Sequence, residues 1–359
     1  MSVIVVLGLA LLAAGGGAWW KGGWRLNCPD GGRFYMKAAL CKSLEGPAGL
    51  VIEDIAPPQP GAGEALIAVK AAALNFFDTL ITRGKYQTKP ELPFSPSAEV
   101  AGVVEVLGPG VSGLKVGDRV MAYLGWGGAR EKVIAKVDAL VAIPDRVSDE
   151  VAAGVSVTYG TAIHGLKDRG RLKAGETVAV LGAAGGAGLA AVEVAKLMGA
   201  RVIAVASSPE KLAVCREHGA DEAVNYGTAD LKEGLRALTG GKGVDVVYDC
   251  VGGEASEAAL RATAWDGRFL VVGFASGDIP KIPLNLLLLK GVDAIGVFWG
   301  EAVKRDPATH RANMRQVLDW VALGRLHPRI HAAYPLAQIA EALAVLDRRE
   351  AVGKVVLTM

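Results

Sequence analysis

The chain has 359 residues, 39 of them Lys or Arg and 37 Asp or Glu, so its formal net charge is +2. That balance excludes the broad basic face of a nucleic-acid grip, and it excludes an acidic tail. With 51% hydrophobic and 21% charged residues the chain can fill a sizeable core, and at about 150 residues per domain its length predicts two domains.

Residues 3–20 form an uncharged run of 18, followed by Lys21 and Arg25. The run stands at the lower edge for a membrane span. It makes a poor signal peptide, because nothing basic precedes it. We favour a third reading, in which residues 1–35 are an upstream extension and the native start is Met36, where a self-contained fold begins. A membrane anchor is the alternative, and membrane contact is expected only in that case.

From Lys37 to about Val157 the pattern reads as all-β, with short apolar runs punctuated by Gly, Pro and Asp. Strands are predicted within 64–74, 98–108, 117–124 and 131–144, with turns at 57–63 and 108–118. From about Thr158 the period changes. Strands are predicted at 176–182, 201–207, 222–226, 244–250 and 267–274, and helices at 188–199, 209–219, 229–240 and 254–264. Strict alternation of this kind marks a parallel sheet with helices on both faces. Residues 310–324 and 336–350 read as amphipathic helices, and the end reads as a strand able to rejoin the first domain. The predicted fold is α/β: a β-barrel domain at 36–157 with 296–359, and a doubly wound domain at 158–295.

The sharpest motif is Gly-Ala-Ala-Gly-Gly-Ala-Gly at 182–188, between a strand and a helix. Backbone N–H groups at a helix start face an anion, and glycines admit close approach, so a dinucleotide pyrophosphate is expected there. The following strand ends in Ser207 and Ser208, with Lys211 beyond, where an acidic residue would hold a ribose 2′-hydroxyl. Two hydroxyls and an ammonium suit a 2′-phosphate instead, so NADPH is expected over NADH. Tyr226 ends the third strand and is placed to close over the same phosphate. Against this, Ser207 and Ser208 are also ordinary helix caps and Lys211 an ordinary surface residue.

The cysteines, at 28, 41, 215 and 250, form no paired spacing and read as reduced thiols in a cytoplasmic compartment. The histidines at 164, 218, 310, 327 and 331 show no metal-binding spacing.

From Met36 to Met359, about nine-tenths of its length, the chain resembles the zinc-free quinone oxidoreductases of the medium-chain dehydrogenase/reductase superfamily, the zeta-crystallin group. The resemblance is carried by the stretches at 75–86, 182–188, 206–211, 225–226, 246–253 and 271–277. It implies a GroES-like catalytic domain and a Rossmann domain with NADPH between them. Zinc-dependent relatives carry a cysteine where this chain has Asn75, and Gly-His-Glu where it has Ser97-Ala98-Glu99. No metal is therefore expected. The resemblance places the pyrophosphate against Gly186 and Ala187, between the motif's own Gly185 and Gly188, which are also expected to hold the cofactor, and the 2′-phosphate against Ser207, Ser208, Lys211 and Tyr226. It adds Val251, Phe274, Ala275, Phe298, Trp299 and Arg349 as further cofactor contacts.

Loss of zinc leaves hydride transfer to an acceptor that is already electrophilic: a quinone, an enone or another activated carbonyl. Asn75 is a candidate contact to the nicotinamide ribose or the acceptor oxygen. Tyr86 is a candidate donor to the developing oxyanion, with a packing role as its rival. Asp78 is read as a local backbone acceptor. Related enoyl-thioester reductases carry a similar tyrosine, which keeps 2-enoyl thioesters as an alternative acceptor. A non-catalytic RNA-binding or crystallin-like role is the alternative of another class; the charge balance predicts no nucleic-acid partner. A homodimer is expected, with 292–300 as an edge strand pairing across a two-fold axis.

Overall fold

A computed structural model describes residues 35–359. The expectations for residues 3–20 and for Cys28 lie outside the described residues. The first strands are β1 (Met36–Cys41) and β2 (Leu50–Ile55), an antiparallel pair. A larger sheet follows, built from β3 (Glu64–Leu74), β4 (Glu99–Leu107), β5 (Arg119–Tyr123), β6 (Lys132–Lys136) and β7 (Leu140–Ala142). The segment read as wholly β also holds two helices, α1 (Phe76–Ile81) and α2 (Asp149–Ile163). A helix as short as α1 leaves no periodicity to read. Past its first two residues α2 is mostly Ala, Val, Ser, Thr and Gly, and ten of its fifteen residues are buried, so no polar face shows. Its start is nonetheless marked: the Ser148 hydroxyl accepts from Val151 N–H, and Asp149 and Glu150 occupy the first turn.

Alternation then runs through β8 (Thr177–Leu181), α3 (Gly186–Leu197), β9 (Arg201–Ala206), α4 (Pro209–Glu217), β10 (Glu222–Asn225), α5 (Leu231–Leu238), β11 (Val244–Asp249), α6 (Glu254–Arg261) and β12 (Thr263–Val271). After it come α7 (Asn285–Lys290) and β13 (Asp293–Gly296). The six strands are parallel, in the order β10-β9-β8-β11-β12-β13. Counted from β8 this is 3-2-1-4-5-6, the dinucleotide-binding order, with its switch point between β8 and β11. Val178, Val202, Ile203, Val205, Val246 and Val247 are fully buried, because helices cover both faces and the strands must be apolar throughout.

The chain ends with α8 (Trp299–Arg305), α9 (Pro307–Ala322), β14 (Ile330–Pro335), α10 (Ile339–Asp347) and β15 (Lys354–Thr358). β15 pairs antiparallel with β3, which brings the C-terminus back into the first sheet. The predicted edge strand at 292–300 is only half a strand: β13 stops at Gly296 and α8 begins at Trp299. A single core joins Val178, Val180 and Leu189 of the parallel sheet and α3 to Met121, Val141 and Val356 of the larger sheet, through Val155 and Tyr159 of α2.

Candidate active site

The glycine turn leaves β8 at Gly182, whose φ of +69° favours glycine, and enters α3 at Gly186. No side chain caps α3, so its first N–H groups keep their capacity to bind an anion. A Cβ on Gly188 would stand 2.1 Å from Gly182 O and 2.7 Å from Ala183 Cα, so this glycine is what lets α3 lie against the end of β8. A Cβ on Gly185 would meet only Gly182 O, at 3.4 Å, which leaves that side open to a ligand. These features fit a dinucleotide pyrophosphate. A Gly188→Ala variant is expected to lose about 1–3 kcal/mol of stability, because backbone must move to admit the methyl group. Denaturant unfolding measures it, and an unchanged midpoint would contradict the packing role.

Beyond β9, Ser208 caps α4 by accepting Lys211 N–H at 3.4 Å, an ordinary helix-cap role. Lys211 Nζ donates to Arg349 O at 3.2 Å, and Arg349 Nη2 donates to Ser276 O at 2.9 Å. Lys211, Arg349 and the loop after β12 are thus brought together, with Phe274 and Ala275 just before Ser276. Ser207 is exposed, and Tyr226 lies one residue past β10 with its N–H on Ala206 O at 3.2 Å. Val251 donates to Asp249 Oδ1 at 2.8 Å at the end of β11. Phe298 is exposed, whereas Trp299 is buried against Gly160 and the Tyr123 ring, 4.6 Å away. The Trp299 ring is therefore part of a wall.

Asn75 and Tyr86 flank α1. Tyr86 stacks on Phe77 at 5.1 Å and packs beside Cys41, Ile81 and Phe94. Burial, and after it the Asp78 charge, push its phenol up, so it stays protonated through the neutral range. Asp78 accepts Asn75 N–H at 2.8 Å and Ser97 N–H at 2.9 Å, the backbone role expected for it, the second bond bridging to a distant segment. Its burial pushes the carboxyl up to about 7 against the pull of those two bonds and of Lys354. The Asn75 side chain is engaged inward: Nδ2 donates to Glu99 Oε1 at 2.9 Å, and Oδ1 accepts from Lys354 Nζ.

Tyr123 and Lys354 were not singled out by sequence. Tyr123 closes the aromatic group with Trp299 and His310, and burial, then the charges of Tyr86, Glu99 and Asp78, push its phenol up. Burial holds His310 down, to about 4, so it is a neutral ring in that wall. A lysine opening an apolar strand, Lys-Val-Val-Leu-Thr, was the available signal for Lys354. Cys41, Cys215 and Cys250 are free, and burial raises all three thiols, Cys215 to about 12, so none is a ready thiolate. Among the described residues no group of three or more His, Cys, Asp or Glu side chains could hold a metal ion.

Residues 61–145 match the family described as "Alcohol dehydrogenase GroES-like domain", and residues 186–322 the family described as "Zinc-binding dehydrogenase". The chain is 40% identical to quinone oxidoreductase-like protein 2 of Rattus norvegicus over 326 residues, 90% of this chain and 93% of that one. It is 31% identical to the quinone oxidoreductase of Homo sapiens over 331 residues, 91% of this chain and 99% of the other. A mycobacterial structure described as complexed with NADPH superposes with a TM-score of 0.84 at 34% identity, covering 90% of this chain and all of that one.

Proposed function

Since the chain belongs to the medium-chain dehydrogenase/reductase superfamily, beside its quinone oxidoreductases, we propose that it is an NADPH-dependent reductase of quinones and other electrophilic carbonyls, working without zinc. The observation that carries the cofactor choice is the end of β9. No carboxylate ends β9 itself; Ser207 and Ser208 follow it, and Lys211 comes just after the exposed Glu210, whose carboxylate accepts from the Ser208 hydroxyl, with Lys211 and Arg349 joined across the same edge. Hydroxyls and a cation favour a ribose 2′-phosphate, which a carboxylate would repel. The coenzyme supplies a hydride when bound.

The chain's residues position, desolvate and donate. The open Gly185 side and the uncapped start of α3 would hold the pyrophosphate. The wall of Tyr123, Trp299 and His310 excludes water. The Tyr86 hydroxyl would donate to the acceptor oxygen as it gains charge. A zinc ion does not fit the residues present: Asn75 and Glu99 already engage the Lys354 ammonium, a cation that would repel a second one.

In a Tyr86→Phe variant, turnover of 1,2-naphthoquinone is expected to fall by about 10²-fold, with NADPH affinity unchanged. Undiminished turnover would return Tyr86 to a packing role. A panel of quinones, enones and 2-enoyl thioesters then identifies the acceptor class. We also infer a homodimer. β13 is the outer strand of its sheet, and Trp265, Leu284, Leu288 and Leu289 are exposed on or near α7, an apolar surface that a second copy would cover.

A further inference from the structure

Lys354 is a buried cation that, beyond excluding zinc, has no part in the proposed reaction. It opens β15 directly after Gly353, whose N–H donates to Ala184 O in the glycine turn at 3.1 Å. Its ammonium donates to Asn75 Oδ1 and lies 2.5 Å from Glu99 Oε1. The same Glu99 oxygen accepts from Asn75 Nδ2 at 2.9 Å, and the other accepts Val157 N–H of α2 at 2.8 Å. The three side chains close a ring. Its members are buried, Glu99 fully. The Lys354 stem passes over Gly154, where a Cβ would stand 2.9 Å from Lys354 Cγ.

A carboxamide can sit in two orientations that differ only by exchange of oxygen and nitrogen. A cation on one end and a carboxylate on the other remove that freedom: the oxygen must face the ammonium and the nitrogen the carboxylate. Apolar residues of similar volume would join β15 to α2 at no greater cost, because a buried ion pair forfeits most of its attraction to desolvation. What an apolar filling could not do is orient Asn75. Gly353 meanwhile places the same short segment against the glycine turn, so one piece of backbone contacts the expected cofactor site and aligns a polar group beside α1.

We propose, on the reading of the chain as an NADPH-dependent hydride-transfer enzyme, that Lys354 is a positioning residue that fixes the Asn75 amide and registers it against the glycine turn through Gly353. The test pairs Lys354→Met with Glu99→Gln, which removes both charges together and strands neither. With 1,2-naphthoquinone and NADPH, the folded paired variant is expected to lose about tenfold or more in kcat. Its KM for the quinone and its Kd for NADPH should stay within about twofold of wild type. Adding Asn75→Ala to the pair should cost nothing further, because both changes act through one amide. Wild-type turnover in the paired variant would overturn the assignment, and so would a full additional loss from Asn75→Ala.

A second readout needs neither variant nor turnover. In wild-type protein labelled with 15N-asparagine, the Asn75 Nδ2 protons should be protected from solvent exchange; free exchange would overturn the ring. Wild-type protein that gives no heat with NADPH overturns the functional reading instead, whatever the state of the ring.

Discussion

A Lys354→Met variant, without compensation at Glu99, is expected to lose about 3–5 kcal/mol of stability. Glu99 has no exposed surface, and Lys354 is its only cationic partner among the described residues. Removing the ammonium leaves a desolvated carboxylate that keeps only Val157 N–H and Asn75 Nδ2. Asp78, also without exposed surface, loses the one nearby positive charge that lowers its carboxyl. Denaturant unfolding of wild type, Lys354→Met and the pair with Glu99→Gln measures the effect. The single variant should be the least stable of the three, since the paired change removes the orphaned charge. A single variant as stable as wild type would contradict the ion pair, and the ring would need to be redrawn.

The second large effect concerns the coenzyme. Lys211→Ala together with Ser208→Ala should weaken NADPH binding by about 2–4 kcal/mol, roughly 30- to 800-fold. NADH binding should hardly change, because it lacks the phosphate these groups would meet. Ser208 also caps α4, so some stability will be lost, about 0.5–2 kcal/mol for such a cap. That loss burdens both coenzymes equally. The contrast between them is therefore the informative quantity, and equal weakening of both would remove the 2′-phosphate assignment.

The parallel sheet could be read from sequence because most of its strands are short apolar runs bounded by turns, and two of the intervening helices carry a marked start. Asp230, which accepts Glu233 N–H before α5, and Pro209, which opens α4, are two such marks. Predicted and observed strands differ by only a residue or two at β8, β9, β10 and β11. The start of β12 differs more, at Thr263 instead of 267, because its early residues pair with β11 only through a register shift and Asp266 adopts a φ of +60°. α2 escaped notice because it is buried nearly all round, so periodicity vanished where helix content was greatest.

The candidate site divides in the same way. Its nucleotide half lies in contiguous stretches, 182–188 and 206–211, where local spacing carries the chemistry. Its reacting half is assembled from positions far apart in the chain. Asn75 and Lys354 are 279 residues apart, and no local pattern could reveal that the ammonium of one orients the amide of the other. Tyr123 entered the aromatic wall by the same long route, since its partners Trp299 and His310 belong to the C-terminal helices.

The most direct measurement is isothermal titration calorimetry of the full chain with NADPH and, separately, with NADH. Saturable heat at one site per chain is expected with NADPH, and binding of NADH weaker by about tenfold or more. Absence of heat with NADPH, or equal affinity for the two coenzymes, would contradict the NADPH assignment.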